Sequence, residues 1–68
     1  MPRPTFGERL KYLRQAAGWT QCELAEKAGL VQSNVSHLER GEREPSWEVL
    51  GRLADALGVR LDAFRPDE

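Results

Sequence analysis

Within twenty residues, from Gln21 to Arg40, the chain sets two short apolar groups on either side of a single glycine. Leu24, Ala25 and Ala28 have helical spacing, and so do Val35 and Leu38. Gly29 divides them at a point where a helix commonly ends in a left-handed residue. Leu30 follows as a further apolar anchor. Nothing in the stretch alternates with strand periodicity. The spacing predicts two short helices joined by a tight glycine turn, and the rest of the chain must pack around that pair.

The flanking segments carry their own helix signals. Thr5 and Glu8 form a capping box, and Phe6, Leu10, Leu13 and Ala17 make one apolar stripe behind it. Gly18 ends this first helix. Thr20 and Glu23 repeat the capping box, with Trp19 and Leu24 placed as a hydrophobic staple. The third helix runs over about 32–40. Its start is weakly marked, because Val31 stands where a capping side chain belongs, and Ser33 offers a cap for a shorter helix. Ser46 caps a fourth helix whose stripe is Trp47, Leu50, Leu53, Ala54 and Leu57. Gly51 lies inside it at a cost of about 1 kcal/mol against alanine, which a close helix approach would explain. Leu61 to Arg65 reads as one further short turn with Leu61 and Phe64 inward, stopped by Pro66. The fold class is all-α, five short helices over residues 5–65, with a frayed N-terminus at 1–4 and a tail at 66–68.

Composition narrows the function. Sixty-eight residues make one small domain, marginal but feasible without staples. One cysteine, Cys22, rules out an internal disulfide and a multi-cysteine zinc site, and fits a reducing cytoplasm. No apolar run approaches the roughly 18 residues of a membrane span, and the N-terminal residues do not read as a signal peptide. The formal net charge is −1 and becomes +1 (10 − 9) without Asp67 and Glu68. Total charge decides little, since only one face meets a polyanion. No nucleophile–base pair, paired carboxylate site or phosphate loop is present, so no enzymatic activity and no cofactor are expected.

A pair of helices crossing steeply needs a small residue where the backbones meet, a turn residue tolerant of positive φ, and apolar anchors beneath. Ala25 is the small residue, Gly29 the turn, and Leu24, Ala28, Leu30, Val35 and Leu38 the anchors. That is a helix-turn-helix. With Gly18-Trp19-Thr20-Gln21-x-x-Leu24-Ala25, the run from Gln32 to Ser36, Leu38-Glu39-Arg40-Gly41, Pro45-Ser46 and the run from Leu53 to Val59, the chain resembles the phage-repressor/Cro type of helix-turn-helix domain, the Xre family. The resemblance covers about residues 6–64. It implies a lambda-repressor-like domain whose third helix enters the major groove of double-stranded DNA, usually as a homodimer that represses or activates transcription.

The resemblance assigns roles residue by residue. Gln32, Ser33 and His37 match positions that commonly face base edges, with Asn34 and Ser36 beside them. Glutamine can pair with adenine in bidentate fashion, and serine and histidine can bond singly to several acceptors. A solvated polar face is the plainer reading of such residues outside this motif. Gln21 matches a phosphate-contacting position at the start of the second helix, where free N–H groups favour anions. Arg40 and Arg43 are candidate phosphate anchors, diluted by Glu42 and Glu44. Glu39 lies in the last turn of a helix, where an acid opposes the macrodipole. The family pattern pairs it with a basic residue of the first helix, here Arg14. A rival reading is a protein-binding module of the same fold, with a toxin or antirepressor as partner. The uncapped Val31 and the net charge of −1 favour it.

Overall fold

The computed structural model describes residues 5–64. The expected frayed segment at 1–4, the tail at 66–68, Arg65 and the Pro66 stop lie outside the described residues. Four α-helices and one 3-10 turn follow in order: α1 (Phe6–Ala16), α2 (Gln21–Ala28), α3 (Gln32–Glu39), α4 (Trp47–Leu57) and the turn Leu61–Phe64. The fifth predicted helix is that single 3-10 turn. There is no strand among the described residues.

Helix starts follow side-chain capping. The Thr5 hydroxyl accepts from the Glu8 N–H at 3.2 Å, and Glu8 accepts from the Thr5 N–H at 2.9 Å. Thr20 and Glu23 repeat this at 3.1 and 2.8 Å. The Ser46 hydroxyl accepts from the Val49 N–H at 3.2 Å. Such caps are each worth about 0.5–2 kcal/mol. α3 starts at Gln32 after Val31, which makes no side-chain cap; packing of Val35 and Leu38 beneath must hold that turn instead. All four α-helices are followed by a glycine at positive φ. At Gly29 (φ 70°), the Leu30 N–H reaches back to the Ala25 carbonyl at 2.8 Å, which closes α2 and turns the chain at once toward α3.

The core draws one or more residues from every element: Leu10, Leu24, Ala25, Ala28, Val35, Leu38, Leu53, Ala54 and Phe64. Phe6 closes one end against Phe64, ring centroids 5.3 Å apart. Trp19 packs on the rim of the core, and the Lys27 ammonium sits 4.9 Å from its ring centroid.

Four expectations are corrected. Gly51 has no neighbour within 4 Å of where a Cβ would stand. The close approach is instead at Gly7, where a Cβ would meet the carbonyl oxygens of Leu38 and Glu39 at 2.5 Å. Trp47 stands in the first turn of α4, beyond the end of the core, and is 79% exposed. Leu61 lies on the outer side of the 3-10 turn and is 41% exposed, while Ala17, the cap of α1, is exposed.

Candidate nucleic-acid interface

The α2–Gly29–α3 unit is clamped to α1 by one carboxylate. Glu39 Oε2 accepts from Arg14 Nε at 2.6 Å, and Oε1 accepts from Arg14 Nη2 at 3.1 Å. The side chains are 11% and 4% exposed. Arg14 Nη1 also donates to the Trp19 carbonyl at 2.8 Å, which ties the α1–α2 connection into the same fork. The hydrogen bond to Glu39 raises the Arg14 pKa above its ordinary value. An acid at the end of α3 is therefore tolerated because a bidentate guanidinium faces it.

Gln21 extends this clamp toward α3. Its Nε2 donates to Glu39 Oε1 at 3.0 Å, and its Oε1 accepts from Gln32 Nε2 at 2.8 Å. The start of α2, the start of α3 and the end of α3 are thus joined side chain to side chain. Nothing in the sequence spacing signals this chain, since its members lie 11 and 18 residues apart.

The remaining site residues lie along α3 and just past it. Gln32 and Ser33 are exposed, while Asn34, Ser36 and His37 are half-buried. His37 Nδ1 lies 2.6 Å from Glu42 Oε1. A carboxylate only accepts, so Nδ1 carries a hydrogen and donates it to Glu42. This hydrogen bond, with the nearby Arg40 charge, holds the Glu42 carboxyl below its ordinary pKa. Arg40 lies 3.3 Å from the same Glu42 oxygen in an exposed pair. Arg43 donates to Asn34 Oδ1 at 3.5 Å, a long contact to a neutral partner. Gln21, Arg40 and Arg43 therefore differ: Gln21 is committed to its neighbours, Arg40 shares an acid, and Arg43 is paired with no acid among the described residues. Ala25 is buried in the core, while Gly29 is an exposed turn residue at positive φ between α2 and α3.

A second surface lies around the 3-10 turn. Phe6, Leu50, Trp47, Leu61 and Pro45 line an open groove of about 620 Å³. Phe64 contributes to its floor but is itself buried.

Comparison with known proteins agrees with this architecture. A helix-turn-helix domain family matches residues 5–65. The immunity repressor protein of Bacillus phage phi105 is 39% identical over 64 residues, which cover 94% of this chain and 44% of the repressor. The chain thus spans under half the length of that relative. Among solved structures, the restriction-modification controller protein C.AhdI of Aeromonas hydrophila superposes with a TM-score of 0.86 at 40% identity, over 88% of this chain and 91% of that one. The P22 c2 repressor in complex with a synthetic operator superposes with a TM-score of 0.83 at 32% identity, over 88% and 91%. The family match over residues 5–65 and a relative 39% identical over 64 residues show that this chain belongs to the helix-turn-helix domain family.

Proposed function

We propose that the chain is a sequence-specific double-stranded DNA-binding regulator of transcription that inserts α3 into the major groove. One observation carries the proposal. The first residue of α3, Gln32, is solvent-exposed yet held by hydrogen bonds that run through Gln21 to a shielded ion pair. Solvated surface has no need of such support. A base-reading side chain does, because an amide fixed in advance loses less conformational entropy on binding. Ser33, Asn34, Ser36 and His37 complete the base-facing edge. The first-turn N–H groups of α2 beside Gln21, together with Arg40 and Arg43, meet the flanking phosphates.

The protein acts as a homodimer in the cytoplasm, with no enzymatic step. A single module buries only roughly 600–1,000 Å² on DNA, and two copies double that. The groove beside Trp47 and Leu61 supplies an apolar face for the second copy, and half-sites then lie about 34 Å apart. Trp47→Ser shifts the dimer toward monomer in sedimentation and leaves the melting temperature of the monomer unchanged, since Trp47 lies outside the core.

A salt titration tests the DNA assignment. Binding through several phosphates makes the logarithm of affinity fall linearly with the logarithm of salt concentration. A protein with no duplex affinity at low salt fits instead a module of this fold directed at a protein partner such as a toxin.

A further inference from the structure

We infer that Glu42 is a positioning residue for His37: it confines the proton exchange of the ring to Nε2, so that the base opposite His37 is guanine in acid and adenine or cytosine in mild alkali. The inference rests on the DNA-reading assignment above and adds to it a residue that need touch no base.

The backbone sets where Glu42 stands. Gly41 has φ 75°, and its N–H reaches the Leu38 carbonyl at 3.2 Å while the Glu42 N–H reaches the His37 carbonyl at 3.0 Å. This left-handed ending folds the chain back over the last turn of α3. The Glu42 carboxylate therefore returns to the side chain five residues behind it, with Oε1 2.6 Å from His37 Nδ1. Arg40 Nη2 converges on the same oxygen at 3.3 Å, which helps hold an acid where the helix dipole disfavours one. His37 lies one turn after the exposed Ser33 on α3, and its side chain is 38% exposed. Among the described residues its Nε2 has no hydrogen-bond partner.

The charged groups beside the ring come from the end of α3 and the connection after it: Glu42, Arg40, and Arg43, which donates to Asn34. Glu39, on the other side of α3, is taken by Arg14 of α1. Among the described residues, α2 bonds to α3 through the neutral Gln21 amide, and Arg52 of α4 pairs within its own helix.

A histidine ring gains and loses one proton between about pH 5 and pH 8. A free ring can lose it from either nitrogen. Here a loss from Nδ1 would set two acceptors 2.6 Å apart and forfeit the bond to Glu42. That bond, and then the Arg40 charge, holds the Glu42 carboxyl below its ordinary pKa, so it stays an acceptor while the ring titrates. The proton therefore comes and goes at Nε2. Protonated, Nε2 donates; neutral, it accepts. Guanine presents two acceptors in the major groove, N7 and O6, whereas adenine N6 and cytosine N4 carry donors. One side chain thus reads different bases according to pH.

Selection of bound duplexes from a randomised pool at about pH 5.5 and about pH 8 tests this. At one position of the selected site, the ratio of guanine to adenine plus cytosine should fall by roughly five- to tenfold as pH rises, while other positions keep their preferences. Glu42→Ala lets the neutral ring carry its hydrogen on Nε2, so guanine should persist at the higher pH. A purely electrostatic role for Glu42 would instead raise affinity for every duplex alike. In the free wild-type protein, two-bond proton–nitrogen NMR of the ring should show the neutral form with its hydrogen on Nδ1. A hydrogen on Nε2 overturns the inference whether or not DNA is read. An enriched motif with no pH-dependent position overturns it with the DNA assignment intact, and so does a pH-dependent position that Glu42→Ala leaves unchanged. A wild type with the hydrogen on Nδ1 that enriches no base at either pH overturns the DNA assignment, and base selection with it.

Discussion

Gly7→Ala isolates the contact that sets the distance between α1 and α3. A Cβ on residue 7 would lie 2.5 Å from the carbonyl oxygens of Leu38 and Glu39 and 2.9 Å from the Glu39 carbonyl carbon. Ordinary carbon–oxygen contacts begin near 3.3 Å, so the helices must part by about 1 Å at this point. The obstructing atoms are backbone in the last turn of α3 and cannot rotate aside. Overpacking of this kind costs about 1–3 kcal/mol, against a helix-propensity gain of up to about 1 kcal/mol for alanine over glycine. The parting also strains the Arg14–Glu39 bond just above it. A net loss of about 1–2 kcal/mol corresponds to a fall of roughly 4–16 °C in a domain of this size. Gly51→Ala is the matched control, because nothing stands within 4 Å of its Cβ and the site is mid-helix. There the propensity term acts alone, and Tm should rise by roughly 2–8 °C. Thermal unfolding followed by circular dichroism reads both. A Gly7→Ala protein that melts at or above the wild type, or a Gly51→Ala protein that falls with it, refutes the reasoning.

Two further predictions concern ion pairs and pH. Arg14→Ala leaves a shielded carboxylate with only the Gln21 amide, and breaking such a pair costs about 3–5 kcal/mol. Arg52→Ala removes an exposed i,i+4 pair with Glu48 at 3.4 Å and should cost under about 1 kcal/mol; equal melting points for the two variants would count against the clamp. In the α2 capping box, the backbone hydrogen bond from Thr20, then its hydroxyl contact, holds the Glu23 carboxyl below its ordinary 4.5. A depressed folded-state pKa contributes stability that is present above 4.5 and is lost as pH falls through the lower folded value. The gap in Tm between wild type and Glu23→Gln should therefore shrink as pH drops below 4.5, and a gap that widens there contradicts the assignment.

Local chemistry made most of the fold legible. Thr5 with Glu8, Thr20 with Glu23, and Ser46 announce three helix starts through hydrogen bonds between residues three apart, which sequence alone can place. Gly29 announces the turn because only its backbone conformation is needed there. Residue spacing alone was silent wherever the deciding contact is long-range, and the Arg14–Glu39 pair, 25 residues apart, was legible only through the family resemblance. Gly7 and Gly51 look alike in a helical pattern, yet one meets α3 and the other meets solvent. Trp47 fits the apolar stripe of α4 by phase but stands one turn beyond the core it would join. Of the candidate site, the types and positions on α3 were readable, and so was the pairing of Glu39 with Arg14. The linkage of both ends of α3 through Gln21 was not, nor was the bond between His37 and Glu42, because each depends on how side chains meet after folding.

Sequence-specific binding through α3 requires that Gln32 read a base. Once a preferred duplex has been selected, Gln32→Ala should weaken binding to it by about 1–3 kcal/mol while leaving affinity for an unrelated duplex nearly unchanged. Equal losses on both duplexes, or no loss on either, would show that α3 does not read DNA through this residue.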